Sequence, residues 1–220
     1  MEVILFFLVG VEFLWKGDDV IQNFLLIFFA FAVYGLFHSL LASRTAKNAA
    51  EVFMGRTGFR WYRLAYNIFA FISLMPVLAL AIILPDVLIY SVTFPWDIPL
   101  LALQLAGAGL SIIAASQTGL WTLAGISQLT HERLPDEKDH LVTGGLYRFV
   151  RHPIYTGAIV FLWSSPQLSW NALALKLAFT LYFIIGGMVE EKRLVDEFGD
   201  EYRSYRMKTP MIVPWIKKST

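Results

Sequence analysis

The sequence predicts an all-α protein, a multi-pass transmembrane helical bundle of about five or six spans. Three observations carry that prediction. The 220 residues are 57% hydrophobic with a mean hydropathy of +0.58. Charged residues make up only 16%, against about a quarter in soluble domains, and they fall between apolar blocks. Several of those blocks reach the roughly 20 residues a helix needs to cross a bilayer.

In chain order, residues 21–42, 64–84 and 98–116 each meet that length as apolar runs. Residues 154–168 and 172–189 read as a tight helical hairpin turning at Ser164-Ser165-Pro166 through Trp170-Asn171. Its first arm is short, so it must tilt or sit in thinned bilayer. Residues 3–15, which carry Glu12, form either a short first span or an interfacial helix. They lack the basic leader and small-residue cleavage site of a signal sequence. Gly107 and Gly109, with Ala102 and Ala106, give the fourth segment a small-residue face suited to close helix packing. No strand pattern competes with the helices.

Charge sets the expected orientation. Arg44, Lys47, Arg56, Arg60 and Arg63 lie between the second and third segments against one acid, Glu51. The next loop, residues 85–97, holds Asp86 and Asp97 and no Lys or Arg. By the positive-inside rule the first of these loops faces the cytoplasm. Alternation then puts residues 119–153 and the tail after Val189 there too, and Lys192, Arg193, Lys217 and Lys218 agree with that side.

The formal net charge of +1 gives no sign of nucleic-acid binding, and the absence of cysteine excludes disulfides, thiolate metal sites and a cysteine nucleophile. The chemistry gathers in two polar clusters at the ends of the hairpin. Gly144-Gly145, Tyr147, Arg148, Arg151, His152 and Tyr155 precede or begin its first arm. Pro153 suits a first helical turn, and such a helix start presents unpaired N–H donors beside Arg151 and His152, a place for an anionic group. Glu190-Glu191 closes the second arm, where an acidic pair opposes the helix dipole and so asks for a cationic partner. Antiparallel arms bring the two clusters to one membrane face, where anion and cation receptors together suit a zwitterionic ligand. Arg148 and Phe149 have the simpler reading of interfacial anchors. His131 and His140, with Glu132 and Asp139, match no usual metal-ligand spacing, so no metal is expected. His38 sits near the cytosolic end of its span, where a hydrogen bond to a neighbouring helix is the expected role.

Together these motifs have a family likeness. Leu141-Val142-Thr143-x-Gly145-Leu146-Tyr147, Arg151-His152-Pro153-x-Tyr155-x-Gly157, Glu190-Glu191-x-x-Leu194, Phe198-Gly199-x-x-Tyr202-x-x-Tyr205, Pro210 and Pro214 resemble the integral-membrane methyltransferases. That superfamily includes isoprenylcysteine carboxyl methyltransferase and the phospholipid methyltransferases. The likeness runs from His140 to Pro214, about a third of the chain. It implies an all-helical membrane bundle with a cytosolic cofactor pocket and S-adenosylmethionine as methyl donor. By the same likeness His140, Leu141 and Val142 border the adenine, and Gly145 and Tyr147 shape the pocket wall. Arg151, His152 and Tyr155 hold the carboxylate and nearby polar atoms, while Glu190 and Glu191 take the ammonium, the ribose or the sulfonium region. Arg151, His152 and Glu191 are the implied catalytic residues, and residues 198–205 with Pro210 and Pro214 cover the cofactor.

Within the superfamily, Trp163-x-x-Pro166, Tyr182, the run from Thr209 to Pro214 and His38-Ser39-x-x-Ala42-Ser43 are similar to bacterial methanethiol S-methyltransferases and their isoprenylcysteine-methyltransferase-like relatives. The eukaryotic prenylcysteine enzymes carry an arginine four residues before the glutamate pair, where this chain has Gly186. The resemblance therefore implies a small or lipophilic acceptor, by thiol S-methylation or prenylcysteine-type carboxyl O-methylation. The alternative is a non-catalytic membrane scaffold or transporter-like protein retaining the cofactor motif. Expected organisation is residues 1–118 as N-terminal transmembrane helices and 119–220 as the methyltransferase core with hairpin and tail, in one structural unit. The expected partners are the acceptor and the lipid bilayer, with no nucleic acid.

Overall fold

The computed structural model describes residues 17–130 and 140–214. The expected segment 3–15, the loop residues His131, Glu132 and Asp139, and Lys217 and Lys218 lie outside the described residues. The fold is a helical bundle. Helix α1 spans Gly17–Ala42, α2 Arg44–Phe59, α3 Tyr62–Ile83 and α4 Asp97–Gln117. Two short helices follow, α5 (Leu120–Ala124) and α6 (Ser127–Thr130), and then α7 (Pro153–Trp163), α8 (Trp170–Phe198) and α9 (Asp200–Lys208).

Among the described residues, four helices are long and apolar enough to cross a membrane: α1, α3, α4 and α8. Their outward faces carry large apolar side chains such as Phe29, Ile82 and Ile112, each more than half exposed in the isolated chain. That surface suits hydrocarbon, and the protein is an integral membrane protein. Of the expected five or six spans, these four are long enough among the described residues. At 11 residues, α7 rises about 16 Å, too little to cross roughly 30 Å of hydrocarbon by itself.

Two helix pairings place the functional region. In the first, α1 lies along α8, with Phe31, Val77 and Ala178 buried together and the Phe31 and Phe179 rings edge-on at 4.5 Å. In the second, α4 grips α7 through glycines. A Cβ at Gly157 would stand 2.6 Å from the Gly107 carbonyl oxygen, and one at Gly107 would stand 2.6 Å from the Phe161 nitrogen. The small-residue face read from the sequence is therefore real at Gly107, whereas Gly109 faces open space.

Two expectations need correction. The chain does form strands, Leu88–Ser91 and Gln167–Ser169, paired antiparallel with Leu88 opposite Ser169. They tie the hairpin turn to the α3–α4 loop through main-chain hydrogen bonds. Asn171 completes that tie by donating its N–H to Asp86 Oδ1 (3.0 Å) and its side-chain amide to the Leu84 carbonyl (3.1 Å). Secondly, the basic loop after α1 is mostly helix. Ser43 caps α2 by accepting from the Ala46 N–H at 3.1 Å, and Gly55 at φ 65° breaks it. This helix has no long apolar stripe to mark it in the sequence.

Candidate functional site

The site begins where the chain enters α7. Gly145 has φ +58°, and a Cβ there would stand 2.6 Å from the Gln117 side chain. Gln117 in turn accepts the Leu146 N–H at 3.0 Å, fixing a tight 3-10 turn over Gly145–Arg148. That turn buries Tyr147, whose hydroxyl donates to the Ala114 carbonyl at 3.4 Å. Tyr205 of α9 donates to the Tyr147 carbonyl at 2.5 Å. Arg148 stays exposed, its guanidinium 4.5 Å over the Phe149 ring, as an anchor would.

Pro153 occupies the first turn of α7 as expected. The N–H groups just before it bind the tail: Arg151 donates to the Pro210 carbonyl (2.9 Å) and His152 to that of Met211 (3.0 Å). Thr156 Oγ1 adds a bond to the Ile212 carbonyl at 2.8 Å. The segment after α9 is thus zipped along the start of α7. A Cβ at Gly187 would stand 2.5 Å from Met211 Cε, so the methionine end packs directly on α8 at this glycine.

The two polar clusters meet. Tyr155 donates its hydroxyl to Glu190 Oε2 at 2.9 Å. Arg151 Nε donates to Glu191 Oε1 at 2.7 Å, and its Nη2 lies 2.5 Å from the same oxygen. The Arg151 Nη1 donates to the carbonyls of Arg206 (3.1 Å) and Thr209. His152 lies between the acids, Nδ1 3.7 Å from Glu190 Oε2 and Nε2 3.4 Å from Glu191 Oε1. Its ring stacks on Tyr155 at 5.2 Å, which stacks on Phe183 of α8 at 5.4 Å.

Burial divides the acid pair. The Glu191 and Arg151 side chains are each 9% exposed, whereas Glu190 is 37% exposed. Glu191 therefore holds the arginine and imidazole in place, and Glu190 keeps an open carboxylate edge. His152 is 6% exposed, yet its Nε2 makes no hydrogen bond. The nearest polar neighbour of that buried nitrogen is the Glu191 carboxylate, 3.4 Å away. Beneath the strap, burial foremost and then the Glu191 charge push the Tyr202 hydroxyl up to about 12, so it remains a neutral donor.

The structure thus brings together Arg151, His152, Tyr155, Glu190 and Glu191. It sets Gly145 and Tyr147 in the adjoining turn. Upstream, on irregular chain, His140 is exposed, and Leu141 and Val142 are half-buried. Sequence reasoning missed Gln117, Phe183 and the Thr209 and Arg206 carbonyls. Only the proline-bounded run from Thr209 to Pro214 signalled that the tail docks.

Comparison with known proteins follows this geometry. Over 202 residues the chain is 33% identical to methanethiol S-methyltransferase 1 of Bradyrhizobium diazoefficiens, covering 90% of this chain and 68% of that relative. The chain belongs to that family of integral-membrane methyltransferases. The phospholipid methyltransferase family profile matches residues 100–201, which include the glycine-packed helices, the turn and the acid pair. A methanethiol S-methyltransferase of a Pseudomonas strain is 35% identical over 130 residues, 57% of this chain and 50% of the relative. The protein-S-isoprenylcysteine O-methyltransferase of Schizosaccharomyces pombe is 40% identical over 83 residues, 36% of this chain and 35% of the relative. No solved structure matches. The protein is a membrane methyltransferase.

Proposed function

We propose that this protein transfers a methyl group from S-adenosylmethionine to a small thiol, at a site open to the cytosol. The observation that carries this reading is the convergence of Arg151, His152 and Tyr155 at the α7 start on the acid pair Glu190-Glu191. The residues present suit the donor. Glu190 offers an open carboxylate to an ammonium, and His152 and Tyr155 of the α7 start hold that carboxylate in place. His140, Leu141 and Val142 border the adenine, and Gly145 and Tyr147 wall the pocket. Arg151 serves differently from the sequence expectation: its donors hold Glu191 and the strap, so it shapes the pocket rather than meeting the ligand first. Bound there, S-adenosylmethionine supplies an electrophilic methyl group on a sulfonium. Alignment of donor and acceptor is the protein's main task, and such orientation contributes about 7–11 kcal/mol.

A small thiol is favoured because a methanethiol enzyme matches 90% of the chain and because Gly186 brings no cation to receive a substrate carboxylate. Prenylcysteine carboxyl methylation is the second reading, favoured by the 40% identity across the site segment. The basic surface around α2 supports cytosolic placement of the site. Residues 119–220 supply the donor pocket, and residues 1–118 complete the bundle as part of the same unit.

Purified protein given labelled S-adenosylmethionine and a panel of thiols, prenylated cysteine analogues and membrane lipids should label the small thiols. Labelling confined to the prenylated analogues or the lipids would overturn the thiol assignment.

A further inference from the structure

Helix α2 leaves the bundle and comes back. Ser43 alone joins it to α1, and Arg60 and Trp61 join it to α3. The Tyr62 hydroxyl donates to the Leu41 carbonyl at 2.7 Å, so the helices on either side of α2 meet where it starts and ends. Both are long and apolar enough to cross a membrane, and the excursion between them therefore sits at the membrane surface. Gly55, at φ 65°, breaks the helix. Val52 and Phe53, just before that break, are 88% and 91% exposed.

The helix presents three sides. At roughly 100° per residue, Ala46, Lys47 and Ala50 share the half-buried side. Arg44, Asn48 and Glu51 share an exposed polar side, and Thr45, Ala49, Val52 and Phe53 share an exposed side without charge. Large apolar side chains are unfavourable in water and favourable in hydrocarbon. A helix divided in this way, apolar on one side and basic on another, lies in the plane of the membrane interface. Trp61, exposed at the start of α3, carries the ring type that settles among headgroups.

Charge points to the kind of lipid. Burial foremost, and then the charges of Arg193, Arg63 and Arg44, push the Lys47 ammonium down from the usual lysine range. Cations of α2, α3 and α8 thus crowd one place. Glu51 is the one acid between Arg44 and Arg63 in the chain, and it is exposed. An anion relieves such repulsion, and at a membrane surface phosphate headgroups supply it.

We infer that α2 is an interfacial anchor for an anionic phospholipid leaflet: Val52 and Phe53 enter the acyl boundary, while Arg44, Lys47 and Arg193 receive the headgroup phosphates. The contact is independent of which acceptor is methylated.

The chain has no cysteine, so one introduced thiol takes a spin label at a known place. In nanodiscs of phosphatidylglycerol mixed with phosphatidylcholine, a label on Phe53→Cys should collide more with oxygen than with a water-soluble nickel chelate. A label on Glu51→Cys, about 160° round the helix, should do the reverse. Val52→Cys supplies a second apolar site should Phe53→Cys lower the unfolding midpoint. The unlabelled protein should select spin-labelled phosphatidylglycerol over spin-labelled phosphatidylcholine. The paired substitutions Arg44→Gln and Lys47→Gln should cut that preference by about fivefold for each cation removed. Apolar-side labels reached mainly by the chelate would place α2 in water, and dipolar broadening between labels would place a second copy on it. Either result, or equal association of the two lipids with the unmodified protein, would overturn the assignment.

Discussion

Glu191→Ala is expected to abolish methyl transfer and to destabilise the fold at once. The substitution strips Arg151 of its carboxylate partner in a place where both side chains are 9% exposed. Breaking such a buried pair from one side costs about 3–5 kcal/mol, because the remaining charge is left uncompensated. The loss spreads through Arg151, which also holds the Arg206 and Thr209 carbonyls, so the strap over the site loosens with it. Glu190→Gln should behave differently. Its side chain is 37% exposed and a glutamine oxygen still accepts from Tyr155, so stability should persist while donor binding falls. Thermal unfolding in detergent and initial rates of labelled-methyl transfer separate the two. A Glu191→Ala protein with unchanged midpoint and rate would show that the buried pair supports neither fold nor site.

Gly157→Leu is expected to be the most damaging substitution distant from the polar cluster. A Cβ at this position would stand 2.4 Å from Ser111 Oγ, 2.6 Å from the Gly107 carbonyl and 2.7 Å from the Ser111 nitrogen. Two of those atoms are backbone, so the neighbouring helix must move. Overpacking typically costs about 1–3 kcal/mol, and leucine extends well past the Cβ, so a loss at or above that range is expected. As α7 leaves α4 it carries Pro153 and His152 away from α8, and methyl transfer should fall with stability. Gly109→Ala is the contrast. Nothing lies within 4 Å of its added Cβ, and alanine is the better helix former by about 1 kcal/mol. Its unfolding midpoint should hold or rise. Equal midpoints for Gly157→Leu and Gly109→Ala, measured in the same detergent, would contradict the packing described here.

These two cases show how the fold was legible. Hydropathy located α1, α3, α4 and α8 because each must offer hydrocarbon a long apolar surface, a demand written into composition. It missed α2, whose Arg44, Lys47 and Glu51 do not suit hydrocarbon. It missed the strand pair because four exposed residues, Leu88–Ser91, pair only once the hairpin turn is beside them. Gly107 and Gly109 looked alike in sequence, and helix rotation decided that only the first meets α7.

The meeting of Tyr155 and His152 with Glu190 and Glu191 was legible, since a short turn forces antiparallel arms. The commitment of Arg151 to the strap was not. Its partners are main-chain carbonyls of Arg206 and Thr209, and a carbonyl has no residue identity for a sequence to reveal. The hydrogen bond expected between His38 and a neighbouring helix is made with Tyr66 of α3, and the ring contacts of His38 with Tyr34 and Tyr182 depend on α1 and α8 converging.

The most direct test of the donor site is calorimetric titration of the detergent-solubilised protein with S-adenosylhomocysteine. Saturable one-site binding is expected, abolished or reduced more than about tenfold, some 1.4 kcal/mol, by His152→Ala and Glu190→Ala and little changed by Arg148→Ala. No binding by the folded protein, or the same affinity in all three variants, would contradict a methyl-donor pocket between the start of α7 and the end of α8.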